Sequence, residues 1–239
     1  MNDYKEDNTL DVSNPAPRCP VILLLDTSGS MDGAPIEELQ SGLEKFLKEV
    51  SDDETASMSV ELEIITFGNE VKIASAFAPV YEVAEMVPKL RAYGITPLGK
   101  ALELADSELK KRRRLYKQKG ISNYKPWIVL MTDGAPNDKY KRAAASMKRL
   151  GEENKLQYIG IGIGEDADMD TLNEILPDYP GPLKLKGLCF KEFFKWLTDS
   201  LKSVSASSIA DQDNVCLNNL TSWADIAGLP APVDKEAAE

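Results

Sequence analysis

The sequence predicts an α/β fold: a doubly wound, Rossmann-like, mostly parallel sheet with one antiparallel edge strand and helices on both faces. Two short, uninterrupted apolar runs, "CPVILLLD" and "WIVLMTD", have the composition of strands covered on both sides. A stretch with helical apolar spacing follows each of them. Strand and helix patterns then alternate along most of the chain, and right-handed crossovers turn that alternation into a parallel sheet. Such folds bind ligands just beyond the carboxyl ends of their strands.

The elements follow in order. Residues 1–17 lack apolar periodicity and end in "NPAP", which predicts a flexible N-terminal extension. The domain proper is expected over 18–204. After "CPVILLLD", Pro35 suits a first helical turn, and Ile36, Leu39, Leu43, Phe46, Leu47 and Val50 form one stripe. "SVELEIITF" and "EVKIASAF" read as a hairpin about Gly68-Asn69, at one side of the sheet. "YEVAEMVPKL" is a short helix. "TPLGKALELADSELKKRRRLYKQ" is a long one, with Thr96 as its expected cap and Pro97 at its first position. "WIVLMTD", "KYKRAAASMKRL", "LQYIGIGIG", "MDTLNEIL", "LKLKG" and "FKEFFKWLTDSLKSV" continue the alternation as strand, helix, strand, helix, strand, helix. Residues 205–239 read as a tail with one apolar docking segment, "LTSWADIAGL", containing Trp223.

Composition narrows the chemistry. The net charge of −11 opposes nucleic acid and anionic membrane as partners. The sequence contains no histidine, which excludes Ser-His and Cys-His nucleophiles and the usual zinc sites. Cys19, Cys189 and Cys216 are far apart without metal-type spacing, so free thiols in a cytoplasmic protein are expected. The polar N-terminus carries no basic segment followed by an apolar one, so no secretory leader is expected.

One stretch carries chemistry. In "LLLDTSGSMDG" the apolar run stops at Asp26, and Ser28 and Ser30 follow at every second position. Residues two apart on an extended chain point the same way, so these oxygens can converge if the chain bends at Gly29. Asp133 ends "WIVLMTD", and Thr96 opens a helix from a loop, at equivalent places in the fold. Two carboxylates and three hydroxyls form an all-oxygen set suited to a hard cation such as Mg²⁺, with Mn²⁺ or Ca²⁺ as alternatives. With only two charges offsetting it, such a cation stays electrophilic. An open position on it would attract an outside anion, most simply an Asp or Glu carboxylate of a partner protein.

"DTSGS", "GITPLG" and "TDGAPND" together resemble the von Willebrand factor A domain and its metal-ion-dependent adhesion site. That site consists of an Asp-x-Ser-x-Ser motif, a distant Thr and a more distant Asp. The resemblance spans about Arg18 to Val204 and implies metal-site roles for Asp26, Ser28, Ser30, Thr96 and Asp133. In the family's usual scheme Ser28, Ser30 and either Thr96 or Asp133 bind directly. "YGITPLGKALELA" and "KPWIVLMTDGAPND" are similar to the prokaryotic tellurite-resistance and stress-response branch. The resemblance implies a metal-dependent protein-binding module that is not an enzyme.

Other motifs compete less well. "GITPLGKA" nearly spells a phosphate-binding loop, but Ala101 cannot ligate magnesium and no apolar strand precedes it. "GIGEDA" follows a late strand, the wrong place for a dinucleotide loop. Asp166, Asp168 and Asp170 suggest a calcium loop, yet Thr171 and Pro177 occupy the glycine and glutamate positions, so helix-start acids are the better reading. An aspartyl-nucleophile hydrolase using Asp26 would resemble haloacid-dehalogenase-like phosphatases, but Ser28 stands where their second acid does. "KKRRR", Lys110 to Arg114, is either a solvated helix end or, with the tail, the contact surface of a metal-independent scaffold.

Overall fold

The computed structural model describes residues 10–133, 135–214 and 220–226. Seven strands form one sheet in the order β3-β2-β1-β4-β5-β6-β7. They are β1 (Cys19–Asp26), β2 (Val60–Phe67), β3 (Val71–Pro79), β4 (Trp127–Thr132), β5 (Gln157–Gly162), β6 (Leu183–Leu185) and β7 (Ala224–Ile226). The five central strands run parallel, and β3 pairs antiparallel with β2 at one edge, as the hairpin pattern predicts. On the opposite edge β7 pairs antiparallel with β6.

Helices α1 (Ala34–Ser51), α2 (Glu54–Ser59), α3 (Val80–Glu85), α4 (Leu98–Lys119), α5 (Lys141–Glu152), α6 (Met169–Ile175) and α7 (Phe190–Ala206) fill the two faces. Strand side chains alternate between them. Val21, Leu23, Leu25, Val129 and Met131 pack with Leu39, Leu43, Phe46, Phe193 and Leu197 on one side. Ile22, Leu24, Ile128 and Leu130 pack with Leu102, Ala105, Met147 and Leu172 on the other. Every residue of β1 and β4 is buried, which is why both read as unbroken apolar runs.

β7 comes from the apolar island near the C-terminus. Trp223 is buried against Phe193 and Trp196, with ring centroids 5.2 and 5.5 Å away. Asp168 caps α6 by accepting the Thr171 N–H at 3.0 Å, a helix-start role for that acid. Cys19 and Cys189 are free, and Cys216 lies outside the described residues. Among the described residues no helix is long and apolar enough to cross a membrane.

The strand order reverses between β1 and β4. Crossovers lead from β1 to β2 on one side and from β4 to β5 on the other, leaving a crevice at the carboxyl ends between them. Asp26 ends β1 there, and Asp133 follows β4.

Candidate metal site

The buried carboxylate of Asp26 forms the base of the site, 0% exposed. Its Oδ1 accepts the backbone N–H of Ser28 at 2.8 Å, and its Oδ2 accepts the Thr132 hydroxyl at 2.5 Å. With both oxygens engaged, Asp26 is placed to orient the loop above it. Burial pushes its carboxyl up to about 6, against the pull of the Thr132 and Ser28 hydrogen bonds, and the neighbouring Asp133 charge adds to the rise.

Beyond Asp26 the chain turns through one 3₁₀ turn, Gly29–Met31. That turn, and no continued strand, brings Ser28 Oγ within 3.0 Å of Ser30 Oγ. Ser30 Oγ in turn donates to Asp133 Oδ1 at 2.9 Å, across 103 residues of sequence. The expected bend at Gly29 needs no glycine, since a Cβ there would meet Gly94 O at an ordinary 3.4 Å. The glycines that the site requires are Gly68 and Gly94. A Cβ on Gly68 would lie 2.5 Å from Thr27 O, and Gly94 has φ +88° with Asn69 Cα at the same 2.5 Å.

These close approaches let three loops bond to one another. Thr27 N–H donates to Phe67 O at 2.7 Å, Tyr93 N–H to Thr27 O at 2.7 Å, and Gly29 N–H to Gly94 O at 2.9 Å. Thr96 follows in the same segment, 8% exposed, and its carbonyl accepts the Asn137 N–H at 3.1 Å. Thr96 therefore sits between the serine loop and the Asp133 loop. Among the described residues its hydroxyl has no hydrogen-bond partner, so hydrogen bonds link Asp26, Ser28, Ser30 and Asp133 while backbone bonds hold Thr96 alongside.

Thr96 does not cap α4. The cap comes from Asp138, whose two carboxylate oxygens accept Gly99 N–H at 2.7 Å and Lys100 N–H at 2.9 Å. Sequence reading missed both Asp138 and Thr132. A local search for caps finds the nearest hydroxyl, whereas these partners arrive from across the fold.

The donor set fits a hard divalent cation. It is all oxygen, and across a cluster of hydroxyls the nearby Asp133 disfavours the charge of Asp26, an effect that a cation offsets. The basic run on α4 has other work. Arg112 is buried, donates to Glu61 Oε2 at 2.7 Å and lies over the rings of Phe77 and Tyr116. Lys110 and Lys111 pair with Asp106 and Glu108 on the same helix, at 2.5 Å each. A cavity of about 720 Å³ lies at the other end of the sheet, where Trp127 and Gln157 begin their strands.

The sequence model of the von Willebrand factor type A domain matches residues 21–182, the span that carries all five candidate residues. The chain belongs to this family. An uncharacterised protein of Synechocystis sp., sll0103, is 27% identical to the domain over 164 residues, covering 67% of this chain and 36% of that protein. Inter alpha-trypsin inhibitor heavy chain 4 of Mus musculus is 25% identical over 171 residues, covering 67% of this chain and 17% of its own length. The chain thus spans about a third or less of the curated relatives it matches. Among solved structures, the domain is similar to the vWF domain of the type V pili tip protein Mfa5 of Porphyromonas gingivalis. There the TM-score is 0.60 at 10% identity, over 81% of this chain and 98% of that one. It is also similar to proximal thread matrix protein 1 of the mussel byssus with a zinc-occupied MIDAS motif. That TM-score is 0.55 at 20% identity, over 78% of this chain and 48% of the other. Domains of this family typically mediate protein–protein interaction, and these likenesses carry the shared fold.

Proposed function

We propose that this domain is a metal-dependent protein-binding module. Asp26, Ser28, Ser30, Thr96 and Asp133 would hold Mg²⁺, directly or through water, with Mn²⁺ or Ca²⁺ as alternatives. The observation that carries the reading is the continuous chain of contacts Ser28–Ser30–Asp133 above the buried Asp26. When bound, the cation supplies a Lewis-acidic position for an Asp or Glu carboxylate of a partner protein. Ser30 and Asp133 stand at the open side of the cluster and Asp26 beneath it, an order that admits the partner from solvent.

A general acid is missing from the place where a hydrolase using Asp26 would need one, since Ser28 occupies it, and this supports a binding module over an enzyme. Cytoplasmic location is part of the same reading, supported by the free thiols of Cys19 and Cys189. "YGITPLGKALELA" and "KPWIVLMTDGAPND" support a place in the tellurite-resistance and stress-response branch.

The test is Mn²⁺ titration followed by electron paramagnetic resonance, with Mg²⁺ as competitor, and then affinity capture from cell lysate in Mg²⁺ or EDTA. One Mn²⁺ site, displaced by Mg²⁺ and lost in Ser28→Ala, is expected, together with partner retention only in the Mg²⁺ arm. Retention indifferent to EDTA would sink the proposal.

A further inference from the structure

Beside the serine loop lies a cleft of about 310 Å³ at the carboxyl ends of β1 and β2. The nearly buried Thr27 and Thr66 line it, and Lys72, Lys89 and Arg91 stand exposed around it. Thr27 lies in the chain between Asp26 and Ser28, so the cleft adjoins the candidate metal site. The segment connecting α3 to α4 forms its outer wall. Leu90 is buried there and its N–H donates to Gln40 Oε1 at 2.8 Å, while its neighbours Lys89 and Arg91 both face solvent. Lys72 Nζ is 3.7 Å from Glu70, and among the described residues neither Lys89 nor Arg91 has an ion-pair partner.

A local set of three cations is out of character for a chain with 39 acidic against 28 basic residues. On α4, by contrast, Lys110, Lys111 and Arg112 are spent on pairs within the protein. The same segment runs on from the cleft through exposed Tyr93 and Ile95 to Thr96, so cleft and metal site are two ends of one surface.

We infer that this cleft is a second anion subsite, and that the partner of the metal site is an acidic protein segment carrying several carboxylates. The inference rests on the metal-site reading. One carboxylate completes the metal site, and those next to it in the partner meet Lys72, Lys89 and Arg91, with the threonine hydroxyls as further donors. An acidic partner is repelled by the net charge of the domain, and the cationic cleft reverses that repulsion at the point of contact. Specificity follows: a partner with one isolated carboxylate gains nothing from the cleft.

The experiment titrates the full chain with synthetic octapeptides carrying either one glutamate or four, following amide signals by nuclear magnetic resonance. In Mg²⁺ the four-glutamate peptide is expected to bind about tenfold more tightly to the wild type than to the Lys89→Glu, Arg91→Glu double variant. Signals of Thr66, Lys72 and Leu90 should shift during that titration, and added salt should shrink the difference. Both substituted residues are exposed, so the fold is retained, which the spectrum itself reports. Equal binding by wild type and variant overturns the subsite, as does failure of the four-glutamate peptide to bind at all. Repeating the titration in EDTA separates the two readings. Cleft shifts and a variant effect that persist while Mg²⁺ changes nothing would remove the metal-site reading and leave the cleft standing.

Discussion

Asp138 holds the first turn of α4 by its Gly99 amide, at 2.7 Å and from 39 residues further along the chain. The bond joins the loop that carries Asp133 to the helix that Thr96 precedes, so one carboxylate sets the spacing between two proposed ligands. Asp138→Ala is expected to cost about 1–2 kcal/mol, the usual loss of a helix cap. For a chain of this size that lowers Tm by about 2–8 °C, read by calorimetry. Mg²⁺ affinity should fall with it. Asp138→Asn keeps one of the two acceptor oxygens and should restore part of both, whereas equal loss in the two variants would refute the capping role.

Metal binding should appear as stability. A ligand that binds only the folded state stabilises by about 2.7 kcal/mol when its free concentration is a hundred times Kd. Thermal unfolding in saturating Mg²⁺ should therefore shift upward, and EDTA should reverse the shift. In Asp26→Ala the shift is expected to vanish, because Ser28 N–H and the Thr132 hydroxyl lose their shared acceptor. A Mg²⁺ shift that survives the substitution would place the metal elsewhere.

The fold was legible because β1 and β4 are buried on both faces and their composition says so. The Asp-Ser-Ser triplet was legible too, since its residues are adjacent and their oxygens meet across one turn. Asp138 and Thr132 were not, because each partners a residue more than thirty positions away and has an unremarkable local setting. Arg112 read as part of a solvated basic run for the same reason: its acceptor, Glu61, lies on a strand 51 residues earlier. Glu61 and Glu63 in turn gave β2 an alternating pattern, the mark of a half-exposed strand, although the whole strand is buried.

Glu63 supplies a pH dependence. It is buried and one of its oxygens has no hydrogen-bond partner. Burial pushes its carboxyl up to about 8, and the nearby Glu108 adds to that, while a hydrogen bond with the Phe77 backbone and the charges of Arg112 and Lys111 oppose it. The folded state therefore holds this proton more tightly than the unfolded chain, whose ordinary value is 4.5. Its stabilising contribution is complete below that value and is lost as pH rises through about 8. Glu63→Gln stays neutral throughout. It should match the wild type below about pH 4.5, draw ahead as pH rises, and exceed it by about 1–3 kcal/mol in mild alkali, where the wild type must bury a charge. Denaturant unfolding across that range measures it, and parallel pH profiles would contradict the assignment.

The basic run gives the last prediction, because its members differ in what they touch. Arg112 and Arg18 both pair with Glu61, at 2.7 and 3.2 Å, and all three are about 2% exposed. Removing one member of a buried pair costs about 3–5 kcal/mol when the other charge is left without a partner, and Arg18 still faces Glu61 once Arg112 is gone. Arg112→Ala should therefore cost less than that for the charge, but it also loses the Glu61 hydrogen bond and the stacking on Phe77 and Tyr116, for a total of about 2–3 kcal/mol. Arg113→Ala and Arg114→Ala change exposed side chains, for which about 0.5 kcal/mol either way is expected. Urea unfolding of the three variants separates them. A uniform, small effect would restore the solvated-stripe reading of Lys110 to Arg114, with Glu61 neutralised by Arg18 alone. A large effect confined to Arg112 would show that one residue of the stretch belongs to the core.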